Sequence, residues 1–220
     1  MPHIDFIEKV HTSTKRNYLE RVIEHDKAKC ATISKQFGQD YWDGDRKYGY
    51  GGYSYDGRWR AIALKMANHY NLKPGDKVLD VGCGKGFLMY EFTQVITEGQ
   101  VAGIDVSEYA VDNAMDEVKP FLKTGNAVDL PYKDHSFDLV VSINTLHNLH
   151  NYDLRRALQE IERVGKKNKY IVVDSYRTEQ EKANLLYWQL TCECFYTPPE
   201  WEWFFQESGY TGDYGYVFYE

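Results

Sequence analysis

The sequence predicts an α/β fold, a doubly wound and mostly parallel sheet with helices on both faces. Three observations carry this. From residue 77 onward, short apolar runs alternate strictly with helical-period segments across short turns. A glycine-rich turn, Val78-Leu79-Asp80-Val81-Gly82-Cys83-Gly84-Lys85-Gly86, closes the first apolar run. A second apolar run ends on Asp105, about 20 residues beyond that turn.

Taken in order, residues 1–37 place Ile4, Ile7 and Val10, then Leu19, Val22 and Ile23, at roughly helical spacing, which predicts one or two N-terminal helices. Residues 38–57, GQDYWDGDRKYGYGGYSYDG, set six glycines among tyrosines, a tryptophan and charges, which predicts a long loop without helix. A helix over 58–70 follows, and Pro74-Gly75 ends that section. Strands are expected at 77–81, 101–105, 121–125, 137–143 and 170–174. Helices are expected after Gly86 and over 109–119, 153–164 and 178–194. The tail from Tyr210 reads as one or two strands closing a sheet edge. The organisation is an N-terminal helical and lid segment, 1–57, ahead of a Rossmann-like domain, 58–220.

Composition narrows the function. Acidic residues outnumber basic ones 33 to 26, which argues against a partner gripped by its phosphate backbone. No apolar run reaches the length of a membrane span, and the N-terminus lacks a signal peptide's apolar stretch, so a cytoplasmic protein without a membrane partner is expected. Cys30, Cys83, Cys192 and Cys194 show no paired ligand spacing; they read as buried thiols, and no metal set is expected.

Glycines at 82, 84 and 86 let the backbone turn sharply and approach a ligand with no Cβ in the way. A dinucleotide fingerprint would need a glycine where Phe87 stands, and a phosphate loop would need Ser or Thr after Lys85, where Gly86 stands. The turn therefore fits neither phosphate motif, which disfavours an NAD-dependent oxidoreductase. Asp80 is placed to accept from an amide or a ligand ammonium. Asp105 can accept from both hydroxyls of a ribose or, more plainly, cap the next helix. Together, in order and spacing, these residues point to a nucleoside ligand.

VLDVGCGKG, GIDVS and GNAVDLPYKDHSFDLVVS, in that order, resemble the motif blocks of the class I S-adenosylmethionine-dependent methyltransferases. The similarity spans about residues 73–174. The resemblance implies S-adenosyl-L-methionine as cofactor and S-adenosyl-L-homocysteine as product. It implies that Asp80, Gly82 and Gly84, in the turn that also carries Cys83 and Gly86, hold the methionine end. Asp105 would hold the ribose, with Val106, Asn126 and Ala127 about the adenine, and Ile143 and Asn144 on the sulfonium side. The family often has Asp where Asn126 stands; its amide oxygen can still accept from the adenine amino group. The Leu-Pro stretch and the fourth strand most resemble small-molecule enzymes.

The expected partner is therefore a small polar acceptor methylated on oxygen or nitrogen, with a homodimer left open. An oxygen acceptor usually needs a base, and His147 and His150, three apart, would share a face of a helical turn. Tyr41, Trp42, Tyr48, Tyr50, Tyr53 and Tyr55 could form an aromatic lid over the cofactor, where the family commonly places one. Arg46 and Lys47 could hold an anionic group of the acceptor. No Asn/Asp-Pro-Pro-Tyr/Phe, Pro-Cys or paired-glutamate block points to the DNA or protein-arginine enzymes. Peptide methylation and a non-catalytic nucleoside-binding module are the rival readings.

Overall fold

The computed structural model describes residues 1–12 and 16–220; of Glu8 and Lys9 only the backbone is described. Four short helices lead the chain: α1 (Glu8–Thr12), α2 (Tyr18–Glu24), α3 (Lys27–Ser34) and α4 (Gln39–Trp42). After α5 (Trp59–His69) come β1 (Lys77–Val81), α6 (Phe87–Val95), β2 (Gln100–Asp105), α7 (Glu108–Asp112) and β3 (Leu122–Thr124). Then follow β4 (Phe137–Ile143), α8 (Asn151–Val164), β5 (Gly165–Asp174), α9 (Glu179–Trp188), α10 (Pro198–Glu207) and β6 (Asp213–Val217). The strands form one sheet in the order β3-β2-β1-β4-β5-β6. Every neighbouring pair is parallel. The chain winds outward from β1 to β3, then returns to β4 on the other side of β1, so the switch point falls between β1 and β4. At the far edge His3 bridges to Tyr214 of β6, and the Ile4 amide donates to the Tyr214 carbonyl at 2.8 Å.

Both faces of the sheet are buried, so the strands read as continuous apolar runs. Val78, Leu139, Val141, Tyr170 and Val172 pack with Met66, Met89 and Phe92 on one side. Leu79, Val140, Ile171 and Val173 pack with Leu158, Ile161 and Trp201 on the other. Side chains alternate across a strand, so Asp80 and Asp174, at the carboxyl ends of β1 and β5, share the first face. Local rules set the covering helices. In α8 the apolar residues Leu154, Ala157, Leu158, Ile161 and Val164 repeat at helical spacing and are all buried. Thr197 and Glu200 form a capping box at the start of α10, with proline in its first turn.

Several boundaries differ from expectation because distant partners set them. The segment 38–57 does contain a turn of helix, α4, whose Trp42 is buried. The helix expected over 109–119 stops at Asp112, and the Met115 amide beyond it donates to the Lys85 carbonyl at 3.2 Å. The helix expected over 178–194 stops at Trp188, and the Glu193 and Cys194 amides turn to the His147 carbonyl at 2.9 and 3.0 Å. All four cysteines are buried free thiols. No helix among the described residues is long and apolar enough to cross a membrane.

Candidate active site

Three cavities meet at the carboxyl ends of the strands, where open α/β sheets bind ligands. A wider depression of about 910 Å³ opens at the opposite end, near Lys166, Lys167 and Asp213, away from the glycine turn and Asp105.

The smallest cavity, about 50 Å³, lies over the glycine turn. Gly82 and Gly84 have φ of +87° and +52°, the left-handed region that glycine enters freely. A Cβ on Gly84 would lie 2.9 Å from the Trp42 indole, so the bare backbone is what lets the loop above close on the turn. Cys83 also borders this cavity. Asp80 faces it, 5% exposed, and its Oδ1 has no hydrogen-bond partner. Burial, with the nearby Asp105 charge, pushes the Asp80 carboxyl up to about 8. A buried carboxylate oxygen without a donor is costly unless a ligand supplies one.

The second cavity, about 170 Å³, is bordered by Asp105, Val106, Asn126 and Ala127. Asp105 Oδ2 accepts from the Gly84 amide at 2.7 Å, and Oδ1 accepts from the Ser107 amide at 2.8 Å. Burial raises its carboxyl, and these two bonds oppose that shift. Each oxygen retains lone-pair capacity for a further donor. Asn126 Oδ1 accepts from the Val128 amide at 3.2 Å, a local turn bond that leaves its amide nitrogen directed elsewhere. Val106 is 57% exposed and forms the rim.

The aromatic loop covers both cavities. The Trp42 indole donates to Ser107 Oγ at 2.8 Å and stacks on Tyr50 at 5.2 Å. Tyr53 stacks on Phe87 at 4.8 Å. Lys85 of the glycine turn, buried, reaches back to Asp43 at 2.7 and 2.8 Å and to the Tyr53 carbonyl at 2.9 Å. One ion pair, buried on its lysine side, thus latches the loop to the turn.

The third cavity, about 340 Å³, joins the others at Tyr50 and Asn144, which border all three. Tyr50 keeps 39% of its surface accessible although it lies deep in the fold. Asn144 has φ of +55°, and its amide donates to the Val172 carbonyl at 3.0 Å. A non-glycine residue held in this region at the meeting of three cavities is the kind of strain that functional sites retain. Ile143, beside it, borders the two smaller cavities. Tyr41, Arg46 and Tyr48 line the third cavity.

His147 also lines it, 2% exposed. Its Nδ1 accepts from the Asp174 amide at 3.0 Å, and its Nε2 lies 3.4 Å from Asp174 Oδ2. Burial lowers its pKa, with Asp174 opposing, so the ring is neutral. The neutral ring then carries its proton on Nε2, and its one lone pair is already used. Asp174, 1% exposed, also accepts from Gln189 Nε2 and from Tyr219 at 3.2 Å. The shared helical face expected for His147 and His150 does not form. The 3-10 turn Leu146–Asn148 ends in extended Leu149, and His150 becomes the N-cap of α8, its side chain 59% exposed and off the three cavities.

Other expected site residues also fall outside. Gly86 is the left-handed N-cap of α6 and faces Leu122 and Val118, so it serves packing. Lys47 pairs with Asp45 at 3.2 Å, and Tyr55 donates to Glu91 at 2.5 Å on α6. In turn, the third cavity contains residues that no motif marked: Arg16, Arg21, Trp188, Gln189 and Tyr219. Asp174 behind them had one signal, an acidic residue ending a parallel strand as Asp105 does.

The methyltransferase-domain family model matches residues 72–209. Demethylmenaquinone methyltransferase of Symbiobacterium thermophilum is 35% identical over 118 residues, 50% of this chain and 46% of that protein. The 2-phytyl-1,4-naphtoquinone methyltransferase of a Nostoc species is 32% identical over 133 residues, 56% of each chain. This chain thus spans about half the length of the curated relatives it matches. In fold it is similar to the YcgJ protein of Bacillus subtilis, with a TM-score of 0.55 and 22% identity over 66% of this chain and 67% of that one. The glycine turn and the acidic residues that end β1 and β2 lie inside the matched span, and the chain belongs to the methyltransferase-domain family.

Proposed function

We propose that this protein transfers a methyl group from S-adenosyl-L-methionine to an oxygen or nitrogen of a small acceptor. The observation that carries this is the unpartnered, buried carboxylate of Asp80 facing a glycine turn, beside a second cavity edged by Asp105. The site fits the cofactor: an ammonium answers the orphaned Asp80 oxygen, and a ribose answers Asp105. Asp80, Gly82, Cys83 and Gly84 would hold the methionine end, and Asp105, Val106, Asn126 and Ala127 the adenosine. Bound there, the cofactor supplies an activated methyl group on sulfur. Ile143, Asn144 and Tyr50 then border the junction with the acceptor cavity, whose volume of about 340 Å³ suits a small molecule. The relatives named for quinone acceptors support a small-molecule substrate.

The chain's contribution is orientation. Tyr50, Asn144 and the cavity wall hold the nucleophile in line with the methyl group, and such alignment can supply much of the rate. The loop latched by Lys85 and Asp43 excludes water from the junction. If that loop is a lid, hydrogen exchange over 38–57 should slow when S-adenosylhomocysteine binds, and equal rates with and without it would make the segment a fixed wall.

Calorimetry tests the reading. S-adenosylmethionine or S-adenosylhomocysteine should bind at micromolar affinity or tighter, roughly −8 kcal/mol. Binding of NAD with no response to either compound would overturn it.

His147 acts by position in this reading, since its lone pair serves the Asp174 amide. His147→Gln should therefore raise the acceptor KM and leave kcat, with any acid limb of its pH profile, close to that of the wild type. General-base catalysis typically contributes about 10²–10⁴-fold, so a kcat loss of that size together with loss of the limb would restore His147 as the base.

A further inference from the structure

The acceptor cavity gathers positive charge around one aromatic ring. The guanidinium carbons of Arg16, Arg21 and Arg46 lie 5.5, 4.5 and 5.2 Å from the centroid of one indole ring, Trp188. All four residues line the cavity. Among the described residues, neither Arg21 nor Arg46 has a carboxylate within ion-pair distance. Arg21 instead donates to the carbonyls of Arg46 and Lys47 at 3.2 and 3.4 Å, and its Nε is buried without a partner. Arg46 donates to the Gly49 carbonyl. Burial lowers the pKa of both, and a neighbouring arginine lowers each further: Arg46 acts on Arg21, and Arg16 on Arg46.

The nearby acids are committed elsewhere. Asp45 pairs with Lys47, Asp56 with Arg58, and Glu193 with Lys35. Asp174 sits behind the cavity wall, its oxygens receiving Gln189 and Tyr219. A chain with net charge −7 therefore keeps a half-buried Arg21 and a more exposed Arg46 at one cavity, neither with a carboxylate partner. Like charges held close together and partly desolvated are unfavourable unless an anion completes the set. Guanidinium forks with free donors match the two oxygens of a carboxylate, or those of a phosphate, in bidentate fashion.

We propose that the third cavity is an anion site for the methyl acceptor: the substrate carries a carboxylate or phosphate that docks on Arg21 and Arg46. Its body runs along Tyr50 and Tyr53 toward Asn144, where the nucleophile meets the methyl group. This rests on the methyl-transfer reading. An anionic acceptor would set this chain apart from the relatives named for quinones.

The test uses the full chain loaded with S-adenosylhomocysteine and three probes of similar shape: benzoate, phenyl phosphate and neutral benzamide. Benzoate or phenyl phosphate should bind about tenfold or more tightly than benzamide, which corresponds to about 1.4 kcal/mol. Which of the two wins decides between carboxylate and phosphate. Arg21→Gln and Arg46→Gln should each erase the preference while S-adenosylhomocysteine still binds, which also shows that the variants fold. Arg46→Lys should recover only part, because it restores charge without the fork. Equal binding of benzamide, no probe binding to the loaded protein, or a preference that survives both glutamine substitutions would overturn the proposal. Failure of S-adenosylhomocysteine to bind, with the anion preference intact, would instead remove the methyl-transfer reading and keep the anion site.

Discussion

Replacing Asp80 with asparagine is expected to weaken cofactor binding by about tenfold to a hundredfold, the worth of one charge-assisted hydrogen bond of about 1.5–3 kcal/mol. The same change should make the ligand-free protein more stable near neutral pH. Both effects come from one oxygen. Asp80 Oδ1 is buried without a hydrogen-bond partner, so ionising it in the empty site is costly and the carboxyl keeps its proton. Burial raises the folded-state pKa from 3.8 to about 8, so the folded chain holds a proton that the unfolded chain has released. The sign follows. Stability from this group is full below the unfolded value and falls as pH rises toward about 8, by at most about 1.4 kcal/mol per pH unit. Asparagine does not titrate, so its urea-unfolding free energy should lose this slope. With cofactor the order reverses, because the asparagine amide cannot neutralise an ammonium. Identical pH slopes for wild type and variant, or unchanged cofactor affinity, would refute this role for Asp80.

What could be read from the sequence followed from local rules. The turn from Val78 to Gly86 was legible because left-handed backbone at Gly82 and Gly84 restricts the residue type. The buried strands were legible because parallel strands covered on both faces must be apolar throughout. The early ends of α7 and α9 were not legible, since the amides beyond them bond to the Lys85 and His147 carbonyls, far away in sequence. The same limit hid the arginine cavity. Arg21 lies on α2 and Trp188 on α9, and only docking of one helix beside the other brings them to 4.5 Å. His147 shows a subtler case. Its position after β4 was legible, but the use of its lone pair depends on a backbone amide 27 residues onward. Of the two basic residues expected at the acceptor, Arg46 lines the third cavity and its neighbour Lys47 pairs with Asp45 instead.

The other large effect should come from Gly82→Ala, which is expected to cost about 2–5 kcal/mol of stability and to abolish measurable cofactor binding. Two costs add. Gly82 has φ of +87°, and an L-residue in left-handed backbone costs roughly 1–2 kcal/mol. The new Cβ would also lie 2.0 Å from Thr145 Oγ1, 2.4 Å from Cγ2 and 2.6 Å from Cβ. Rotating Thr145 exchanges the first two atoms but leaves its Cβ in place, so no rotamer removes the clash. Overpacking of this kind costs about 1–3 kcal/mol. Relief therefore requires backbone movement, and that movement opens the site. Gly82 borders both cofactor cavities, its amide donates to the Ile104 carbonyl at 2.7 Å, and Thr145 follows Asn144 at the cavity junction. A double-mutant cycle with Thr145→Gly separates the two costs. The double variant should relieve the clash and keep the backbone penalty, so its coupling should be favourable by about 1–3 kcal/mol. Denaturant unfolding reads the stability, and titration with S-adenosylhomocysteine reads the site. A Gly82→Ala protein with the wild-type unfolding midpoint and wild-type affinity would show that the turn has room for a side chain, against the geometry drawn here.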